Sequence, residues 1–162
     1  MPGQTHLNDD LKELIELFQS HHVDFLVVGA HALAFHARPR FTEDLDLFLH
    51  RTPDNAGRAR KALEEFGLQI SEDVERQLAE NPRAMIVLGS KPHQVDLLNF
   101  LDGVAFEQAW ERRAVGSLGS LTVPYLGLED YVATKRAAGR AQDLDDLNRL
   151  REVLGELPED GV

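Results

Sequence analysis

The sequence predicts an α/β (α+β) fold: a short mixed β-sheet flanked by helices, with further helices at the C-terminal end. Three observations carry this. Short, almost continuously apolar runs such as "DFLVVG" (24–29) have the length and content of buried strands. Between them lie stretches with apolar residues at helical spacing, opened by capping residues and closed by glycine. One pair of strands late in the chain is joined by the turn "GSKP", and the chain then ends in two helices.

The elements follow in order. Leu11, Leu14, Ile15, Leu17 and Phe18 mark a helix within 7–19, with Asn8 as its N-cap. The run 24–29 is a buried strand ended by Gly29. "AHALAFHA" (30–37) is a short helix before Pro39, and "DLDLFLH" (44–50) is the next strand. "TPDNAGRARKALEEFG" opens on Thr52 as N-cap with Pro53 at the first helical position, and it stops at Gly67. "LQI" (68–70) reads as a short strand and "EDVERQLAE" (72–80) as a short helix. Strands at 83–88 and 93–99 flank the turn. "VAFEQAWERR" is a helix after Gly103, with Phe106, Ala109 and Trp110 toward the core, and "LTVPYL" is a further extended segment. "GLEDYVATKRAAG" and "AQDLDDLNRLREVLG" are two helices that part near Gly139–Arg140.

At 162 residues the chain suits one domain, with a core over about 10–125 and a C-terminal helical part over about 126–155. It has no cysteine, which removes disulfide and thiol chemistry. The N-terminal segment lacks the basic and apolar regions of a signal peptide, and no run reaches membrane-span length, so the expectation is a cytoplasmic protein. A net charge of −11 argues against broad nucleic-acid binding, and any anionic substrate must be met by local cations or an accompanying metal.

The chemistry gathers around "RFTEDLDLFL" (40–49). On a strand, Asp44 and Asp46 share a face, so two like charges stand close and call for a cation between them. Just before them, Gly29 ends a buried strand and opens a helix. Such a turn lets backbone N–H groups approach a phosphate at a helix N-terminus. Asp96, on the apolar strand "VDLL", is a third acid that is costly there unless paired or metal-bound. Three carboxylates around two Mg²⁺ ions form the two-metal arrangement for in-line phosphoryl transfer. Asp44 and Asp46 would hold both metals, and Asp96 the one that activates an acceptor hydroxyl.

In this order of features the sequence resembles the polymerase β-type nucleotidyltransferase superfamily, and within it the small bacterial AbiEii-type toxins and minimal nucleotidyltransferases. "VVGAHALAFHARPRFTEDLDLFL" resembles the strand, turn and Asp-x-Asp signature, with Arg40, Thr42, Asp44 and Asp46 matching "R-x-T-x-D-x-D". Asp96 matches the third acid, and Lys135, Arg140, Asp143 and Asp146 match a C-terminal Lys-x4-Arg-x2-Asp-x2-Asp motif. Ala30 stands where the family has Gly or Ser, so the backbone N–H remains without a hydroxyl. The resemblance implies a nucleotidyltransferase fold with two Mg²⁺ ions and a nucleoside triphosphate as substrate. A nucleoside monophosphate would pass to an acceptor hydroxyl on an RNA end, a protein or a small molecule, and an antitoxin protein is the partner of a toxin-type member. Gly29, Ala30, Arg40, Thr42, Lys135 and Arg140 would contact the nucleotide. The alternative is a catalytically inactive domain of this type serving as a binding or regulatory partner.

Several residues have two readings. Arg140 serves either the substrate or an ion pair linking the last two helices. His31 and His36 flank the short helix and face solvent or a backbone carbonyl, or else His31 lies near the phosphates or nucleoside. Arg58, Arg60, Lys61, Arg112 and Arg113 are polar helix faces or a local RNA-binding patch.

Overall fold

The computed structural model describes residues 7–37 and 44–158. Thirteen elements follow one another: α1 (Asp9–Ser20), β1 (Phe25–Val28), α2 (Gly29–His36), β2 (Leu45–Leu49), α3 (Pro53–Phe66), α4 (Glu72–Glu80), β3 (Met85–Leu88), β4 (Val95–Leu98), α5 (Phe106–Glu111), β5 (Ala114–Leu118), β6 (Leu121–Tyr125), α6 (Leu128–Ala138) and α7 (Ala141–Leu154). The strands form one mixed sheet in the order β3-β4-β2-β1-β6-β5. β1 runs parallel to β6 and β2 parallel to β4, while β1–β2, β3–β4 and β5–β6 are antiparallel.

Local chemistry accounts for most boundaries. The Asn8, Thr52 and Ser71 side chains each accept from a backbone N–H three residues on, satisfying donors that a helix start leaves open. Gly67 and Gly139 close α3 and α6 in the left-handed conformation. On one face of β2, Leu45, Leu47 and Leu49 are buried in the core. On the other lie Asp46 and Phe48, and the Phe48 ring meets the edge of Phe106 at 5.1 Å. Buried Asn55 ties the far end of the sheet together. It accepts from the Asp24 N–H and donates to the Asp24 and His50 carbonyls, so α3 fixes where β1 begins and β2 ends.

Two expectations need correction. Residues 68–70 form no strand. The chain leaves α3 through Gly67, Ile70 is drawn into the core, and Ser71 immediately caps α4, so these three residues serve as the link between two helices. The one hairpin expected, at 83–99, is followed by a second, because β5 pairs antiparallel with β6. Its sequence, "AVGSL", lacks β-branched alternation, and Gly116 is there because the Phe35 ring occupies the space a Cβ would take. Trp110 is only partly buried. It stacks on Phe106 with the Arg113 guanidinium over its outer face at 4.2 Å.

Candidate active site

β1 ends at Val28, and the chain turns at Gly29 directly into α2. Gly29 has φ +67°, and a Cβ there would overlap the Asp46 carboxylate. The side chain of Asp46 therefore sits on the glycine turn, a close approach that only a residue without Cβ permits. β2 and β4 are parallel neighbours with Asp46 opposite Asp96, which places the two carboxylates side by side on one face. Gln94 precedes Asp96 by two residues on β4's side of the sheet, and its Nε2 donates to Asp96 Oδ1 at 2.9 Å.

Asp44 precedes β2 with the parity of Asp46, and its charge is felt at Asp46. Its Oδ2 lies 3.6 Å from Lys91 Nζ in the turn between β3 and β4. The three acids foreseen from sequence thus stand as a touching pair with a neighbour turned toward a lysine. Among the described residues no group of three His, Cys, Asp or Glu side chains is already gathered for a metal ion.

Burial pushes the Asp46 carboxyl up to about 7, helped by the charge of Asp96, a hydrogen bond with it and the charge of Asp44, while Lys135 pulls the other way. A carboxylate pair that keeps a proton for want of a cation suits a divalent metal, because the metal can take the proton's place. Mg²⁺ titrated in at pH 6 is therefore expected to release roughly one proton per site, and at pH 8.5 almost none. Calorimetry in buffers of different ionisation enthalpy measures this release. Equal release at both pH values would contradict it.

Across from the pair, α6 and α7 close a cleft of about 320 Å³ lined by Gly29, Asp46 and Asp96 on the sheet side and by Tyr131, Lys135 and Arg140 on the helical side. Lys135 Nζ lies 3.1 Å from Asp143 Oδ1 and 2.9 Å from Asp146 Oδ2, yet its charge reaches Asp46. Arg140, the N-cap of α7, donates through Nε to Asp143 Oδ2 at 2.9 Å within the start of that helix, so the ion pair linking α6 to α7 is made by Lys135 and not by Arg140, which also lines the cleft. Asp143 is 1 % exposed. Burial alone would raise its pKa, but hydrogen bonds from Arg140 and Lys135 outweigh that and hold the carboxyl below its usual range. Asp143→Ala removes the shared anion and is expected to cost on the order of 3 kcal/mol in urea unfolding. A cost under about 1 kcal/mol would deny Asp143 its linking role.

The remaining expectations sort clearly. Ala30 lies in the first turn of α2, where its N–H is one of the donors a helix start leaves open. Arg40 and Thr42 lie outside the described residues. His36 meets the backbone carbonyl of Leu126 at 2.7 Å. His31, in contrast, is 1 % exposed, and burial lowers its pKa to about 4 against the opposing pull of the Asp44 backbone and carboxylate, so it is neutral at physiological pH. The basic helix residues are engaged locally: Arg58 with Asp24, Arg60 with Glu64 and Glu75, Arg112 with Asp130.

Sequence reasoning missed Gln94, Lys91 and Arg83. Gln94 was legible as a polar residue at i−2 from a strand acid. Lys91 and Arg83 reach the site only through the register of β3 on β4.

A glycine turn beneath a carboxylate pair on adjacent parallel strands, in a mixed sheet closed by C-terminal helices, defines a nucleotidyltransferase-like fold. The chain belongs to the family described as nucleotidyl transferase of unknown function (DUF2204), whose model matches residues 7–159. Two solved structures share the fold. One is TM1012 from Thermotoga maritima, provisionally assigned as a nucleotidyltransferase, with TM-score 0.54 and 15 % identity over 88 % of each chain. The other is the lincosamide antibiotic adenylyltransferase LnuA with lincomycin bound, with TM-score 0.54 and 12 % identity over 90 % of this chain and 96 % of that one. No curated protein matches the sequence. No helix among the described residues is long and apolar enough to cross a membrane.

Proposed function

We propose that this chain is a metal-dependent nucleotidyltransferase that moves a nucleoside monophosphate from a nucleoside triphosphate to an acceptor hydroxyl and releases pyrophosphate. The observation that carries this is the Asp46–Asp96 pair seated on the Gly29 turn in a cleft that also brings in Lys135. Two Mg²⁺ ions would be held by Asp46 and Asp96, with Asp44 joining by turning from Lys91, and would neutralise the phosphates as charge builds up in transfer.

The chain's own groups divide the remaining work. Backbone N–H groups at Gly29 and Ala30 receive phosphate oxygens, with Lys135 adding fixed charge and Arg40, Thr42 and Arg140 assigned to the nucleotide from the motif. The acceptor oxygen bonds to the α-phosphorus as the bond from that phosphorus to the bridging oxygen breaks. Pyrophosphate leaves with the electron pair, and Asp96 takes the hydroxyl proton.

LnuA is an adenylyltransferase for a lincosamide antibiotic. A small molecule of that general size, an RNA end and a protein hydroxyl are the acceptor classes this site could serve. The AbiEii-type resemblance adds a toxin-type role with an antitoxin partner. A second reading, a domain that binds without transferring, rests on Asp44 being turned toward Lys91.

The test supplies α-³²P-labelled triphosphates with Mg²⁺ and candidate acceptors. Label on an acceptor with matching pyrophosphate release supports transfer. Nucleotide binding without either product favours the second reading.

A further inference from the structure

The carboxylate pair does not end the active face of the sheet. β3, an edge strand among the described residues, pairs with β4 so that Val87 stands opposite Asp96 and Met85 opposite Leu98. Directly opposed residues share a face, so Met85, Val87 and Leu98 continue the surface that carries Asp46 and Asp96. Met85 is 54 % exposed and Val87 48 %, large apolar side chains left open one strand away from a buried acid pair. The shelf ends at Phe100, on whose ring the Arg83 guanidinium lies at 4.2 Å.

Direction and charge decide what such a shelf takes. Gly29 flanks Asp46 from the β1 side, so the phosphate-binding turn and the shelf lie on opposite sides of the pair. A molecule on the shelf therefore approaches from the side of Asp96. Among the described residues, the cations that line the cleft are matched with acids: Arg83 with Asp102 at 3.4 Å, Arg140 with Asp143, and Lys135 with Asp143 and Asp146. A polyanionic acceptor would find no surplus positive charge among the described residues there, on a chain whose net charge is −11.

We infer that the Met85–Val87–Leu98 shelf is the acceptor subsite, and that it takes a small, uncharged hydroxyl compound with an apolar body rather than a nucleic acid. This rests on the transferase reading above. The apolar body lies on Met85 and Val87, which presents its hydroxyl to Asp96.

The chain offers its own reporter, because it has 2 methionines, Met1 and Met85. Protein labelled with ¹³C at the methionine methyls is titrated with benzyl alcohol and, separately, with a tetraribonucleotide, in the presence of Mg²⁺ and α,β-methylene-ATP. Calorimetry follows binding of the ATP analogue independently. The expected result is a saturable shift of the Met85 methyl with benzyl alcohol and none with the oligonucleotide. Val87→Asp, at an exposed edge position, should weaken the alcohol's effect at least tenfold while analogue binding persists.

Analogue binding without an alcohol-induced shift overturns the subsite and leaves the transferase reading standing. An alcohol shift without analogue binding overturns the acceptor role together with that reading. A Met85 shift caused by the oligonucleotide assigns the shelf to nucleic acid, and one caused by raising the protein concentration alone assigns it to a second copy of the chain. Either of these overturns the proposal.

Discussion

Asp46→Asn is expected to lower nucleotidyl transfer by roughly a thousandfold or more while the protein stays folded, since a lost charge ligand of the transition state is worth about 4 kcal/mol. The same substitution has a second, opposite-signed signature. In the folded protein burial and Asp96 raise the Asp46 carboxyl from 3.8 to about 7. Between those values the folded state holds a proton that the unfolded chain has lost. Wild-type stability without metal therefore falls as pH rises through that window. An asparagine has no proton to lose and can still donate to Asp96. The metal-free variant should accordingly be more stable than wild type at pH 8, by on the order of 2 kcal/mol, with the difference fading below pH 4. Urea unfolding at both pH values measures this. A folded variant with undiminished transfer would remove Asp46 from the chemistry.

Gly29→Ala carries the second large effect, because two costs coincide. The backbone at φ +67° disfavours any Cβ, and the added methyl would collide with the Asp46 carboxylate. Stability should drop by about 2 kcal/mol, and Mg²⁺ affinity at least tenfold as Asp46 is pushed off its seat. Gly67→Ala is the matching control. Gly67 has φ +114° and open space around its would-be Cβ, so it bears the conformational cost alone and should leave metal binding unchanged. Equal Mg²⁺ affinity in wild type and Gly29→Ala would mean that the turn does not position the acid.

Much of the arrangement was legible in the sequence because its signals are local. Caps at Asn8 and Thr52, the stop at Gly67, the apolar run before Gly29 and the alternation that puts Asp44 and Asp46 on one face each depend on a few neighbouring residues. What was not legible depends on partners distant in the chain. β5 exists because β6 pairs with it and Phe35 fills the space over Gly116, neither of which "AVGSL" announces. The pairing of Asp46 with Asp96 follows from strand register, and the burial of His31 beside Asp44 from the packing of α2, which its flanking alanines and leucine do not announce. Asp44 shows the same limit: its parity was clear, but its engagement with Lys91 comes from the β3–β4 turn. Lys135 was legible only as a phosphate contact; its anchoring to Asp143 and Asp146, with its charge still reaching Asp46, comes from the packing of α7 on α6.

The most direct test of the central claim is calorimetric titration of each ribonucleoside triphosphate into wild type and Asp46→Asn, with and without Mg²⁺. The Asp46–Asp96 site predicts saturable binding of at least one triphosphate that requires Mg²⁺ and is lost in the variant. Triphosphate binding that is indifferent to both the metal and Asp46, or no binding by the wild type, would contradict it.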